Sequence, residues 1–212
     1  MPRDPPLRFL PVHTIIFDIG RTLLPFSFDP IREQLAPCRA AAQALIDRIE
    51  AGNIDAAEFQ AAMCALTGVA VDAFPAWWNS IFGAAAQHLV PPAWIRELRR
   101  HYRLGLLSNT NALHFVHLER LYPLLAGFDF RILSYEVGAE KPHQAIYTAA
   151  EEQAQCAPAQ ILYFDDVPEF VAAAQRRGWR AEVFTGAATL LAALQAHGVA
   201  CSARLGVGEQ VR

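Results

Sequence analysis

Short apolar segments typical of buried parallel strands alternate with segments of helical periodicity along most of this chain. The first strand, Thr14-Ile15-Ile16-Phe17, ends at the charged residue Asp18. Strands that alternate with helices predict a parallel sheet covered by helices on both faces, which is a three-layer α/β architecture. We predict further strands at 104–107, 131–133, 161–164 and 181–184, and helices at 112–122, 144–154, 168–177 and 188–197.

Residues from about 26 to 90 interrupt this alternation, because their patterns are helical throughout. Helix stops at Gly52-Asn53 and Thr67-Gly68 separate three segments, which cover 39–51, 56–66 and 74–88. A helical block placed after the first strand predicts a small all-α cap domain. We therefore assign residues 1–24 and 92–212 to the sheet-containing core and residues 25–91 to the cap.

The composition argues against several classes of protein. An apolar fraction of 53% argues against disorder, and 212 residues can bury a core without disulfides or a structural metal. The net charge of -3 gives no indication of nucleic acid or an acidic membrane surface as a partner. No apolar run reaches the roughly 18 residues that a membrane span needs, and the N-terminal residues 1–6 lack the apolar stretch of a signal peptide.

The cysteines indicate the compartment. The four of them lie far apart and form no C-x-x-C pair: Cys38, Cys64, Cys156 and Cys201. We interpret them as reduced thiols, which predicts a cytoplasmic protein. The sequence leaves open whether the protein is a monomer or a homodimer.

Polar residues directly follow three of the predicted strands. Asp18 follows the first, Ser108 the second, and the pair Asp165-Asp166 the fourth. Ligands of open parallel sheets bind at the carboxyl ends of the strands, near a topological switch point. We therefore expect these side chains to converge although they are far apart in sequence.

Together these residues could transfer a phosphoryl group. An aspartate such as Asp18 can attack phosphorus and form an aspartyl-phosphate, provided that cations offset the repulsion between the two anions. Asp166 is suited to Mg²⁺, which prefers oxygen ligands, and Lys141 could supply a second cation. Ser108 and Asn109 offer a hydroxyl and an amide to phosphoryl oxygens.

Each of these residues also has a structural interpretation when it is taken alone. An aspartate after a strand is often a helix N-cap, a single lysine is commonly a surface residue, and Asp165-Asp166 could belong to a solvated loop. Adjacent carboxylates repel each other, however, unless a cation lies beside them. The joint order of the residues favours the catalytic interpretation.

That joint order resembles the haloacid dehalogenase-like (HAD) hydrolase superfamily over residues 12–197. Four segments carry the resemblance, in the family's order: IFDIGRTL at 16–23, LLSNTN at 106–111, SYEVG with the following Lys-Pro at 134–142, and FDDVPE at 164–169. The resemblance implies a Rossmann-like core with a helical cap that closes over the site and excludes water.

The resemblance also assigns roles to residues. It implies that Asp18 is the nucleophile and that Mg²⁺ is held by Asp18, by the backbone carbonyl of Gly20 and by Asp166, with Asp165 in support. Arg21 either contacts the substrate or caps the loop. The substrate implied is a small phosphorylated metabolite.

Gly20 is a departure from the family's usual pattern, because phosphatases of this family carry an acid/base aspartate at that position. General acid–base catalysis contributes typically about 10²- to 10⁴-fold. The glycine is compatible with a phosphatase that uses good leaving groups or a relocated acid, and the phosphatase-like branch with Asp-x-Gly in this motif fits that description.

Two alternatives follow from the same glycine. One is a catalytically weak binding or regulatory protein that retains the fold. The other is a 2-haloacid dehalogenase-like hydrolase, since halide departs without a proton; the arginine that such enzymes use early in the cap would be Arg32 or Arg39.

One helix of the predicted cap has an apolar face at helical spacing, formed by Phe74, Trp77, Trp78, Ile81 and Phe82. We interpret this face as the core of the cap. The alternative is that Trp77 or Trp78 faces the site and selects the substrate.

Overall fold

A single parallel sheet forms the centre of the protein. The computed structural model describes residues 10–82 and 88–200. The sheet has five strands in the order β3-β2-β1-β4-β5, and their bounds are β1 (Thr14–Phe17), β2 (Arg103–Ser108), β3 (Phe130–Leu133), β4 (Ile161–Asp165) and β5 (Arg180–Val183). The predicted α/β fold is thereby confirmed, with each strand within one or two residues of its expected position.

Helices cover both faces of this sheet. Ten α-helices are described: α1 (Arg32–Leu35), α2 (Arg39–Glu50), α3 (Ala56–Thr67), α4 (Phe74–Asn79), α5 (Pro92–Arg99), α6 (Ala112–Leu121), α7 (Ser134–Val137), α8 (Gln144–Ala154), α9 (Pro168–Arg176) and α10 (Ala187–Ala196). Short 3-10 helices lie at Asp29–Ile31, Ala36–Cys38, Pro123–Gly127 and Pro158–Gln160. Alternate residues of β1 enter two different apolar clusters, since Ile15 and Phe17 belong to one and Ile16 to the other.

The strand order creates a topological switch point between β1 and β4. The chain builds the sheet from β1 through β2 to β3 and then returns to the other side of β1 for β4 and β5. Phe17 pairs with Phe164, and the Asp18 backbone N–H donates to the Phe164 carbonyl at 2.9 Å. The residues that follow β1 therefore lie level with the end of β4, where ligands of such sheets bind.

The segment between β1 and β2 is helical, as the sequence predicts. Helix α3 begins at a capping box formed by Asp55 and Glu58 and ends at Gly68, which has a left-handed φ of 74°. The expected helix at 74–88 is shorter than predicted, because α4 ends at Asn79; residues 83–87 lie outside the described part. Two side chains also bond to carbonyls of α4: Asn79 donates to the Pro75 carbonyl at 2.8 Å and Ser80 to the Trp77 carbonyl at 2.7 Å.

Aromatic packing joins this helical segment to the core. The apolar face predicted on the segment is buried, except that Trp77 is only partly so. Trp78 is fully buried, and its ring stacks on His114 of α6 with 4.6 Å between centroids. Phe82 meets the same imidazole edge-on at 4.9 Å. Trp78 therefore packs between α4 and the core.

Two further sequence expectations concern cysteines and membranes. The described cysteines, Cys38, Cys64 and Cys156, are free thiols, and Cys201 lies outside the described residues. Within residues 10–82 and 88–200, the helices are too short or too polar to cross a bilayer.

Candidate active site

Asp18 lies at the switch point, one residue beyond β1. Its side chain is 9% exposed, and its Oδ1 accepts a hydrogen bond from Lys141 Nζ at 2.8 Å. Burial, reinforced by the neighbouring carboxylates of Asp165 and Asp166, raises the pKa of Asp18 to about 7, although Lys141 acts in the opposite direction. The carboxylate is thus held in a site that already has an excess of negative charge.

Lys141 connects the ends of three strands. Its ammonium donates to Asp18, to Asp165 Oδ2 at 2.6 Å and to the Leu107 carbonyl at 3.0 Å, and its side chain is 2% exposed. Burial alone lowers a lysine pKa, but the two carboxylates outweigh it and raise the pKa of Lys141. The ammonium therefore stays charged between the two aspartates.

The amino-acid usage of the chain gives Lys141 a further distinction. It is the only lysine in the whole sequence. Every other Lys or Arg position is an arginine. A compact ammonium with three donors fits between two carboxylates and a carbonyl where a planar guanidinium would not. The presence of only one lysine in the sequence, like the Lys-Pro motif, therefore points to Lys141 as a site residue.

Three carboxylates form a cluster that fits a divalent cation. Asp18, Asp165 and Asp166 each place one oxygen within 4.8 Å of the others. The site holds three carboxylates against one ammonium, which leaves a net negative charge that a hard cation with oxygen ligands would offset.

The two adjacent aspartates differ in their contacts. Asp165 is buried, with Oδ2 bound by Lys141 and by the Tyr163 hydroxyl and with Oδ1 accepting the Val167 N–H at 2.8 Å. Asp166 is half-buried, and its nearest cation is Arg21 at 3.9 Å. Burial and the charge of Asp165 raise the pKa of Asp166. Asp166 is therefore the one with oxygens available to a metal.

The segment after β2 carries Ser108 and Asn109. Ser108 is buried and lines the same cleft as Asp18. Asn109 Oδ1 accepts the Lys141 N–H at 2.7 Å and its Nδ2 donates to the Lys141 carbonyl at 3.1 Å, so the amide holds the backbone of Lys141 in place. The contact of Asn109 with a phosphoryl group stays a prediction.

The loop after Asp18 places Gly20 and Arg21 at the edge of the cleft. Arg21 has a left-handed φ of 57°, its N–H donates to the Leu24 carbonyl at 2.7 Å, and its guanidinium lies over the Phe26 ring at 5.5 Å. The guanidinium thus contacts both Phe26 and Asp166. A Cβ on Gly20 would lie 3.6 Å from the Phe26 Cβ, an ordinary contact, so the absence of a side chain there is not imposed by space.

The cleft has a volume of about 230 Å³. Helix α2 contributes Gln43, Ile46 and Glu50 to its lining, together with Asp18, Lys141 and the other strand-end residues. A neighbouring cavity of about 550 Å³ shares Arg21, Phe28, Gln43 and Ile46 with the cleft and is also lined by Arg32 and Arg39. The cleft beside the carboxylates is therefore small, with Arg21 in its lining and Arg32 and Arg39 in the lining of the adjoining cavity.

The sequence did not single out Gln43, Glu50 or His114 as lining residues. Positions 43, 46 and 50 share a face of a predicted helix, but nothing in the sequence shows that this face turns towards the strand ends. His114 is fully buried, and burial lowers its pKa to about 3, so its imidazole is neutral.

Solved structures share this fold. A HAD family enzyme of Bacteroides thetaiotaomicron, solved in complex with magnesium and inorganic phosphate, superposes with a TM-score of 0.70 at 23% identity, over 82% of this chain and 95% of that one. A Porphyromonas gingivalis protein named as a predicted HAD-like family hydrolase superposes with a TM-score of 0.71 at 22% identity, over 93% of this chain and 99% of that one. A 2-haloacid dehalogenase of Pseudomonas syringae superposes with a TM-score of 0.56 at 16% identity, over 87% of this chain and 99% of that one.

The family model of haloacid dehalogenase-like hydrolases matches residues 12–178, which hold the whole strand-end cluster. At the identities above, the solved structures establish the fold alone. With the family model covering most of the chain, this protein belongs to the haloacid dehalogenase-like hydrolases.

Proposed function

We propose that this protein is a Mg²⁺-dependent phosphatase of small phosphorylated metabolites, with Asp18 as its nucleophile. The observation that carries the proposal is the position of Lys141 Nζ, 2.8 Å from Asp18 and 2.6 Å from Asp165, beside the three-carboxylate cluster. A phosphate dianion approaching Asp18 requires positive charge, which the ammonium and a divalent cation would provide together.

Asp18, Asp166 and the Gly20 carbonyl would hold the magnesium, with Asp165 in support. The bound cation would neutralise charge on phosphoryl oxygens and on Asp18. That role accords with the magnesium and phosphate named for the Bacteroides enzyme, and with Asp166, whose nearest cation, Arg21, lies 3.9 Å away.

Three side chains of the protein have separate roles in the attack on phosphorus. The Asp18 carboxylate bonds to phosphorus and gives an aspartyl-phosphate, which water later hydrolyses. Lys141 keeps Asp18 oriented and stays charged because its pKa is raised. Ser108 donates a hydroxyl hydrogen bond to a phosphoryl oxygen.

Residues 25–91 act as the cap that closes this cleft. Gln43 and Ile46 of α2 line the same cleft as the carboxylates, which supports this role. The arginines beside the cleft, Arg21, Arg32 and Arg39, favour an anionic small molecule as the substrate.

The two alternatives explain the cluster less well. A binding protein has no need to bury an ammonium between two carboxylates, because such a site is costly to desolvate. A dehalogenase needs no metal, whereas Asp166 adds a third carboxylate next to Asp18 and Asp165.

A substrate screen tests the function. We expect phosphate release from one or more phosphorylated metabolites with Mg²⁺ and none after chelation, and no halide release from 2-haloacids. Asp18→Asn should lower turnover by at least about 10³-fold, since a nucleophile that acts as a unit with its partners cannot be replaced by them.

Asp72→Asn is the matched control, because it makes the same chemical change at an exposed position outside the cleft. Its turnover should equal that of the unchanged protein. Phosphatase activity retained by Asp18→Asn, with normal circular dichroism, would refute the nucleophile assignment. Halide release without metal would favour the dehalogenase alternative.

A further inference from the structure

The strand ends lack one group that the proposed reaction requires. When the bond from phosphorus to an alkoxide breaks, the leaving oxygen needs a proton, and water must later lose one. Gly20 has no side chain to supply that proton. The strand-end residues are already engaged in other roles. Asp18, Lys141 and Asp165 are joined by hydrogen bonds, and Asp166 is the carboxylate available to the metal.

Only three other ionisable side chains line the cleft in the described part of the chain: Arg21, Glu50 and His114. An arginine does not give up its proton near neutral pH. His114 is neutral and stacked on Trp78, and the N–H of a neutral imidazole is far too weak an acid to protonate a leaving group. Glu50 is therefore the remaining candidate for proton transfer.

The geometry of α2 directs Glu50 into the cleft. Gln43, Ile46 and Glu50 are spaced by three and four residues, which places them along one face of the helix. All three line the cleft, and Glu50 is at the C-terminal end of that row, close enough to Lys141 for their charges to interact. Within residues 10–82 and 88–200, its carboxyl group makes no hydrogen bond or salt bridge, so it is free to meet a substrate.

A close backbone contact fixes the end of α2. Gly52 has a left-handed φ of 71°, and a Cβ on it would lie 2.6 Å from the Tyr135 carbonyl oxygen of α7. Only glycine permits this approach. Since α7 leads directly to the turn that carries Lys141, this contact joins the end of α2, which carries Glu50, to the segment that carries the catalytic lysine.

We propose that Glu50 is the general acid and base of this enzyme, in the role for which Gly20 has no side chain. As Asp18 bonds to phosphorus, the P–O bond to the leaving group breaks and the proton of the Glu50 carboxyl group passes to the departing oxygen. The Glu50 carboxylate then takes a proton from water, whose oxygen bonds to phosphorus while the bond to Asp18 breaks. This assignment rests on the proposed phosphatase function.

The surroundings of Glu50 favour the protonated form at the start of the cycle. Burial, Glu140 and Asp47 raise the pKa of Glu50 to about 8, and Lys141 acts weakly against them. Asp47 lies on the same helix, and Glu140 and Lys141 lie on the turn between α7 and α8. A carboxyl group with this pKa holds its proton near neutral pH and is a competent base once it has lost it.

The dependence on the leaving group separates a proton donor from a structural residue. With Mg²⁺, Glu50→Gln should lower kcat/KM for an alkyl phosphate by about 10²- to 10⁴-fold and for para-nitrophenyl phosphate by less than about tenfold, because nitrophenolate leaves without a proton. Equal losses for the two substrates would show that Glu50 only supports the fold, and would overturn the proposal.

The pH profile provides a second readout. For the unchanged protein, kcat/KM for the alkyl phosphate should fall as pH rises through about 8, since the acid loses its proton there. That limb should be absent in Glu50→Gln. Asp47→Asn removes a repelling charge from the exposed side of α2 and should move the limb to lower pH with the same plateau. A limb that ignores both substitutions contradicts the assignment.

A double variant guards against misfolding. Glu50→Gln with Gly20→Asp places an acid two residues after Asp18 and should recover at least about tenfold of the lost alkyl phosphatase activity. If Asp18→Asn is inactive while Glu50→Gln keeps both the rates of the unchanged protein on the two substrates and its pH limb, the phosphatase function stands and the role of Glu50 is wrong. Absence of phosphatase activity from the unchanged protein contradicts both.

Discussion

The strand ends and helix α2 border the same cleft, but their residues are positioned by different means. Register places Asp18 level with the end of β4, and a buried network then holds Lys141 between Asp18 and Asp165. Glu50 depends instead on which face α2 presents and on the contact at Gly52. In the proposed function, the core would therefore hold the groups for attack, and the inserted segment would supply those that can vary with the substrate.

The largest expected effect tests the strand-end side of this comparison. Lys141→Met removes the cation between two buried carboxylates and should destabilise the protein by about 3–5 kcal/mol. Phosphatase activity should fall by at least about 10³-fold, because phosphate then approaches Asp18 without that charge. Chemical denaturation and steady-state kinetics with Mg²⁺ measure the two effects.

Lys141→Arg is the matched variant that keeps the charge. The site is 2% exposed and gives the ammonium separate acceptors on Asp18, Asp165 and Leu107, a geometry that a guanidinium fork does not reproduce. We expect it to lose activity nearly as fully as Lys141→Met. Full activity in Lys141→Arg would show that charge alone matters and not its placement.

Sequence alone predicted this side of the cleft well. Residues at the carboxyl ends of parallel strands must meet, so the positions of Asp18, Ser108 and Asp165 follow once the strands are recognised. The structural role of Asn109 could not be predicted in this way. Its two hydrogen bonds to the Lys141 backbone join segments that are 32 residues apart in the sequence. Local pattern does not encode such contacts.

The next effect tests how the inserted segment is attached to the core. Trp78 is fully buried and stacks on His114 at 4.6 Å, so Trp78→Ala should cost about 3–5 kcal/mol. If residues 25–91 form a cap, hydrogen exchange should rise in α3 and α4 while β1 and β4 stay protected. Peptide-resolved exchange measures this difference.

Val71→Ala is the control for that experiment, because Val71 is 64% exposed on the same segment. It should leave exchange unchanged. A uniform rise in exchange across α3, α4, β1 and β4 in Trp78→Ala would mean that the segment and the sheet open as one unit, against the cap assignment.

The inserted segment was predicted less completely for physical reasons. Helical periodicity identified α2 and α3 and the burial of Phe74 and Trp78. It could not show which face of α2 lines the cleft. Ala42 and Ile49 are buried outside the cleft, Ile46 lines it, and the polar residues of the helix look solvated in sequence. The Gly52 signal marked a helix end, but its packing against Tyr135 appears only in three dimensions.

The smallest expected effect joins the two sides of the cleft at Gly20. A Cβ there meets only Phe26 at 3.6 Å, so Gly20→Asp should fold normally. With Glu50 present, the added carboxyl group duplicates a proton donor, and turnover of an alkyl phosphate should rise by less than about tenfold. Steady-state rates of Gly20→Asp are compared with those of Gly20→Asn, whose side chain has the same size but no acid. The difference between the two variants measures the effect of the added proton donor alone. A rise of about 10²-fold or more in Gly20→Asp alone would mean that no acid served the reaction before, and the inserted helix would then only enclose the substrate.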